Sequence, residues 1–435
     1  MTWIWYQLKK TGQNLFKMRI SHGNTCCPTP GGRSIPRLAV VFAMGLLSAC
    51  TTGTPPENTP TGKASHCANP VDYDPNRDYF PEKITLQYAD GFDVEYHQHY
   101  KVVTVKQPWA GADRSFQYVL VQCGTPIPSG YNQNQIIPAP VETVVALSTT
   151  HLPHLKKLEV LDRLVAVSNF RHVNTPQVRQ KIEAGTIKEV GRNARVDVEQ
   201  LLTLNPDLVM TFGMGDPQTD SHNRLMKAGL AVALNAEYLS NSPLARAEWL
   251  KFTALFFNRE KIANQKFSQV ASEYQQLATV ADKVDTNPKV LVGHSWKGTW
   301  HVPGGNSYMA EYLQDAGANY PWSDTSATSS IPLDLETVYE RGADAEIWLN
   351  GAQSWFSMED ILADDERYAQ FQAFQNGQIY VNNARLNQYG GNDYWESGIS
   401  NPDVVLADLI EILHPELLPD HELVYYQKIE SMDEQ

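Results

Sequence analysis

Side chains that could run a catalytic cycle are sparse in this sequence. His151 and His154 form an HxxH pair in a predicted helix, but the Glu that would complete a zinc-protease HExxH is missing. A GxSxG elbow, a P-loop and a GxGxxG turn behind a strand are absent. A nucleophile–base–orienter set therefore has no starting point, and no spacing of His, Asp and Glu asks for a metal ion. Side chains suited to binding are plentiful. Trp296, Trp300, Trp322, Trp355, Trp395, Tyr308 and Tyr389 fall in or near loops that end short apolar segments. Flat aromatic faces of this kind suit a large ligand. Arg171, Arg192, Arg195, Lys297 and Arg385 share those loops, in a chain of net charge −14. Cations placed there point to an anionic ligand, whereas the overall acidity argues against nucleic acid.

The elements that must hold these loops are short and alternate in type. The chain has 435 residues, 42% of them hydrophobic, enough for two or three domains of roughly 150 residues each. Residues 82–128 alternate apolar and polar side chains, with a predicted hairpin turn at Asp90-Gly91 and a further strand in SFQYVLVQC. From about residue 141 the pattern becomes βα. VETVVALS, RLVAVS, LVMTF and AGLAVALN read as strands, with helices in HLPHLKKL and VDVEQLLTL. LARAEWLKFTALFF reads as one helix, and REKIANQKFSQVASEYQQLATVADKV as a second, long one without Gly or Pro. Alternation resumes in KVLVGHS, SYMAEYLQDAG, LETVYERG, AEIWLN, GQIYVNN and the last helix, NPDVVLADLIEIL. Short strands separated by helices imply parallel sheets covered on both faces. The expected fold is α/β: two lobes, each with a central parallel sheet flanked by helices, joined by one long α-helix, with an added β-rich N-terminal segment.

The N-terminus carries different information. Residues 1–49 hold Lys9, Lys10, Lys17, Arg19, Arg33 and Arg37 and no acid, so the remainder stands at −20. LAVVFAMGLLSA is too short to span a bilayer and fits a signal-peptide core, with Met18 as an alternative start. Leu47-Ser48-Ala49-Cys50 resembles a bacterial lipobox, which makes Cys50 the expected lipidation site. The Thr- and Pro-rich stretch behind it reads as a solvated tether. Cys26 and Cys27 would leave with the signal, so Cys67 and Cys123 remain as an even pair in an oxidising compartment, consistent with a disulfide or with two buried thiols.

The two halves also echo each other. Glu199 opens a helical turn and Asp207 follows eight residues later, before LVMTF; Glu336 and Asp344 repeat the spacing before EIWLN. Together with VVALSTTH, EVGRNARVDVEQLLTLNPDLVMTF, SYMAEYLQDAGANYPW, IPLDLETVYERGADAEIWL and GNDYWESGISNPDVVLADLIEILHPE, these features resemble the substrate-binding proteins of iron-complex and cobalamin ABC importers, over roughly residues 140–416. The resemblance implies a solute-binding lipoprotein rather than an enzyme, with no intrinsic cofactor. Its ligand would be a ferric siderophore, haem or cobalamin, held between the lobes by Arg171, Arg192, Trp296, Lys297, Trp300, Tyr308, Trp355, Arg385 and Trp395. It further implies that Glu199 and Glu336 dock onto the two permease subunits of a transporter with its ATPases. The protein would be a lipid-anchored monomer in the periplasm or at the outer face of the cytoplasmic membrane. Expected boundaries are 1–49 for the signal, 50–80 for the lipidated Cys and tether and 81–139 for the β-rich segment. The first lobe is expected at 140–258, the inter-lobe helix at 259–285 and the second lobe at 286–425. A ligand-sensing lipoprotein and a cell-envelope hydrolase are the competing readings.

Overall fold

The structure, a computed structural model, describes Cys67 and residues 71–192 and 195–430, with Arg192 described by its backbone alone. The signal segment, Cys50 and most of the tether lie outside the described residues. The N-terminal extension forms a four-stranded sheet in the order β1 (Phe92–Tyr96), β2 (Tyr100–Val105), β3 (Phe116–Gln122) and β4 (Ile136–Ala139). The first three strands run antiparallel and β4 joins parallel to β3. The hairpin turn falls at His97–His99, not at Asp90-Gly91, which precedes β1. Gly91 instead makes room for a distant ring, since a Cβ there would sit 2.7 Å from the indole of Trp249. It is a packing glycine, and its neighbour Asp made it look like a turn. Cys67 and Cys123 are joined as a disulfide, Cα to Cα 5.5 Å.

The first lobe carries β5 (Val144–Ala146), β6 (Leu164–Val167), β7 (Lys188–Glu189), the small hairpin β8 (Gly191–Arg192) and β9 (Arg195–Val196), then β10 (Leu208–Thr211) and β11 (Val232–Leu234). Its sheet has the order β11-β10-β5-β6-β7 and all its pairings are parallel. Helices α1 (His151–Lys157), α2 (Pro176–Glu183), α3 (Val198–Leu204) and α4 (His222–Lys227) lie between the strands. The extension is not a separate body, because Phe92, Val103, Tyr118 and Leu120 share one buried cluster with Val144, Leu152 and Phe252 of the lobe.

The helical stretch after β11 is two helices, α5 (Pro243–Glu248) and α6 (Leu250–Leu255), where one was expected. Fully buried Trp249 stands at the joint, with its Nε1 donating to Ser240 Oγ. Then α7 (Glu260–Ala281) runs for 22 residues, about 33 Å. Its stripe of Ala263, Phe267, Ala271, Tyr274 and Ala281 is buried at helical spacing. Ala263 belongs to the first-lobe core, and the other four belong to the second-lobe core. One continuous helix thus enters both cores.

In the second lobe, β12 (Val290–Val292) is followed by β13 (Ser295–Trp296), β14 (Thr299–Pro303), α8 (Tyr308–Asp315), β15 (Ser330–Leu333) and α9 (Leu335–Gly342). Next come β16 (Ile347–Leu349), α10 (Met358–Asp364), α11 (Gln372–Gln375), β17 (Ile379–Val381), α12 (Pro402–Leu413) and β18 (Gln427–Lys428). The main sheet is β12-β16-β17-β18, parallel except for the last pairing, and β13-β14-β15 form a second, antiparallel sheet. Residues 295–300, where Trp296 and Trp300 were expected in or near a loop, therefore form a hairpin.

Candidate functional site

Each lobe presents a carboxylate in the first turn of a short helix, and the two helices are capped the same way, although Glu336 also pairs with Arg367 at 3.6 Å. Asp197 caps α3 by accepting from Gln200 N at 3.0 Å, and Asp334 caps α9 by accepting from Thr337 N at 2.7 Å. Two residues on, in the first turn, stand Glu199 and Glu336, both exposed. A carboxylate in the first turn is favoured by the unpaired N–H groups there. Asp207 and Asp344 then tie each helix to the first strand of its sheet. Asp207 accepts from Thr143 N at 2.9 Å, and Asp344 pairs with Lys289. The shared Asp-x-Glu start was visible in the sequence and strengthens the echo between the halves.

Loops at the carboxyl ends of open α/β sheets are where such folds bind ligands. Here the loop after β6 meets the loop after β17 across the two lobes, and several expected ligand contacts are elsewhere. Trp300 and Trp355 are 0% and 1% exposed and belong to the second-lobe core, packed with Trp348 and Tyr368. β14 turns Trp300 inward, where its Nε1 donates to Val292 O at 2.9 Å. Trp355 folds back over Gly351 and donates to Asp364 at 2.6 Å. Trp296 is half-buried on β13, with the Nζ of exposed Lys297 4.5 Å above its ring. Trp395 is half-buried, edge-on to Tyr394. Arg385 is exposed and paired with Asp393 at 2.8 Å. Arg171 is exposed on the segment after β6. The side chain of Arg192 lies outside the described residues.

What the structure adds is a seam of direct contacts between the lobes. Asn387 Nδ2 donates to the carbonyls of Arg171 and Val173, both at 3.0 Å. Arg179 lies 5.2 Å over the ring of Tyr389. Arg246 of α5, a helix whose Leu244 and Ala247 lie in the second-lobe core, stacks 3.5 Å over the ring of Tyr308, a predicted ligand contact. Lys157 donates to Ser400 O. Glu396, 0% exposed, accepts from Asn174 N and Thr175 N at 2.7 Å and from Thr175 Oγ1 at 2.5 Å. Its pKa is pushed up to about 7, because burial outweighs those bonds. Burial likewise raises Glu237 and Glu311 to about 7 and Asp403 to about 6. A water-sized cavity of about 10 Å³ sits among Arg246, Tyr308, Tyr312 and Tyr394. These seam residues were missed because their partners are more than 200 residues away in the chain for Glu396, Asn387 and Lys157.

Among the described residues no group of three or more His, Cys, Asp and Glu is arranged to hold a metal ion, and no helix is long and apolar enough to cross a membrane. Two α/β lobes share one long helix and meet along a seam of loop contacts. The chain belongs to the periplasmic binding protein family, whose profile matches residues 144–386, more than half of its length. Two uncharacterized lipoproteins of Methanocaldococcus jannaschii are each 26% identical, over 335 and 330 residues. Both alignments cover 72% of this chain, and they span 76% and 80% of the relatives. A periplasmic binding protein from Veillonella parvula has a similar fold, with TM-score 0.52 at 13% identity, over 72% of this chain and 98% of that one.

Proposed function

We propose that this protein is the lipid-anchored solute-binding component of an ABC importer, and that it captures an iron complex, a ferric siderophore or haem, between its lobes. The observation that carries the reading is the rim of the cleft. Exposed Arg171 stands on the first-lobe segment that Asn387 grips, near Arg179 and the 44%-exposed Tyr389, and Phe356, 54% exposed, lies on the loop after β16. Cations beside bare aromatic faces, on a body of net charge −20, suit an anionic aromatic chelate. Glu199 and Glu336 would dock the loaded protein on the two permease subunits, where separated charge pairs set orientation and on-rate more than affinity. Cys50 would hold the assembly at the membrane, in keeping with the lipoprotein names of the curated relatives.

The test is a fluorescence titration of the full chain with a ferric catecholate, a ferric hydroxamate, haem and cyanocobalamin. One of the iron complexes is expected to bind with Kd below about 1 μM, stronger than about −8.2 kcal/mol. Binding of cyanocobalamin alone would move the ligand to a corrinoid, and binding of none would remove the chelate reading. Cys50→Ser should shift the protein from the membrane to the soluble fraction; unchanged fractionation would remove the anchor.

A further inference from the structure

The extension reaches the carboxyl end of the first-lobe sheet. Residues 106–115, between β2 and β3, form a loop that lies on the segment following β10 of the first lobe, so its partner is one of the loops at the carboxyl ends of the sheet. The fit is made by one side chain. A Cβ on Gly213 would come within 2.8 Å of the Trp109 indole, and one on Gly215 within 2.7 Å. Gly215 also holds a positive φ of 76°, open to glycine at little cost. These two glycines let the indole lie flat against the rim backbone.

Two other side chains hold the same backbone. Asp220, 7% exposed, accepts from Met214 N at 2.8 Å and from Gly215 N at 2.9 Å. The Tyr238 hydroxyl donates to Gly213 O and also meets the backbone of Ala110 in the loop. The ring of His222, 1% exposed, lies 5.3 Å from that of Trp109, and Phe116 lies at 6.0 Å. Exposed Arg114 stands 5.3 Å from the indole and 5.7 Å from Phe116. Trp109, Phe212 and Met214 each stay half-buried. The outcome is a partly open aromatic and thioether shelf with one guanidinium at its edge. The loop lies outside the span that matches the family profile, residues 144–386.

Resting on the chelate-binding reading above, we propose that this loop of the extension is part of the ligand site. Trp109 positions the Gly213–Asp216 rim and Arg114 supplies its charged edge, so the extension selects chelates that present a flat aromatic face beside negative charge. Trp109 is a positioning residue as well as a shelf, because its removal frees the rim from one of the three side chains that hold it.

The experiment uses the full chain with Trp109→Ala, Trp109→Phe and Arg114→Gln, read by hydrogen exchange of the 212–216 segment and by titration with a ferric catecholate, a ferric hydroxamate, haem and cyanocobalamin. Trp109→Ala should speed exchange at 212–216 while leaving β5 and α12 unchanged, and should weaken the catecholate at least about tenfold, or roughly 1.4 kcal/mol. Trp109→Phe should restore most of both. Arg114→Gln should weaken the anionic catecholate several-fold, leave cyanocobalamin unchanged and not alter exchange, a split in ligand preference that a purely structural role would not give. Unchanged exchange at 212–216 in Trp109→Ala overturns the proposal whichever compound binds. A parent that binds one of the iron complexes no better than Trp109→Ala does overturns it while sparing the chelate reading. A parent that binds none of them overturns both.

Discussion

Two seams run through this molecule, and both bury carboxylates. The first joins the extension to the helices around α7. Fully buried Glu248 accepts from Gln87 N at 3.0 Å, from Tyr88 N and Ala89 N at 2.7 Å, and from Lys251 Nζ at 2.8 Å. Nearby Lys101, 0% exposed, donates to Leu255 O, Asn258 Oδ1 and Glu260 Oε1 at 2.6–2.8 Å. The second seam joins the lobes. There Glu396 receives amide and hydroxyl donors, and the charge beside it is Asp393, of the same sign. The difference is the ammonium group. A buried carboxylate beside a buried cation is held as an ion pair, and losing either partner is costly. A buried carboxylate with neutral donors sits near balance between its charged and neutral forms. The extension is therefore bolted by charge to the base of the inter-lobe helix, while the contact between lobes rests on neutral donors. Because α7 enters both cores, the expected response to ligand is a small lobe rotation rather than wide hinge closure.

The largest expected effect tests the bolted seam. Lys101→Met leaves Glu260 buried without its ammonium and should cost about 3–5 kcal/mol of stability in denaturant unfolding. A loss below about 1 kcal/mol, the size of an exposed pair, would mean that this seam is not held by charge.

A somewhat smaller effect should appear at the lobe seam, and only in part of the pH range. Glu396 has a folded pKa near 7 against an ordinary 4.5, so the folded form holds the proton more tightly. Its contribution is then fully present below about pH 4.5 and is lost as pH rises through 7, to a total of about 3 kcal/mol. The stability difference between the parent and Glu396→Gln should follow that curve, the variant gaining on the parent as pH rises from 4.5 to 8. A difference that is flat, or that runs the other way, would remove the contrast between the seams.

The smallest effects on the isolated protein belong to the exposed acids. Glu199→Ala and Glu336→Ala should each leave stability and ligand affinity near those of the parent and impair uptake by cells, with the double variant worse. Normal uptake by both variants would end the docking role. A loss of affinity beyond about tenfold in either would move that residue into the cleft.

How far the sequence led depended on how local each signal was. LVMTF, VEQLLTL and EIWL carry strand and helix periodicity within themselves, and the run around 260–281 shows its length by lacking Gly and Pro. Asp90-Gly91 misled because the demand on Gly91 comes from Trp249, far along the chain. Trp300 and Trp355 misled for a different reason: a Trp that fills a core and one that lines a cleft have the same sequence signature, and only the β13-β14 hairpin turns the first of them inward. LARAEWLKFTALFF kept one apolar face through a break at Trp249 that periodicity does not register. Pairings such as Glu396 with Thr175, 221 residues apart, leave no local trace.

Hydrogen exchange with and without a saturating ferric chelate tests the central claim most directly. Ligand captured between the lobes should slow exchange at Asn174, Thr175 and residues 383–396 and leave the strands of the extension sheet, 92–105, as they were. Protection confined to 92–105, or no change at the lobe seam while the chelate is bound, would contradict the account.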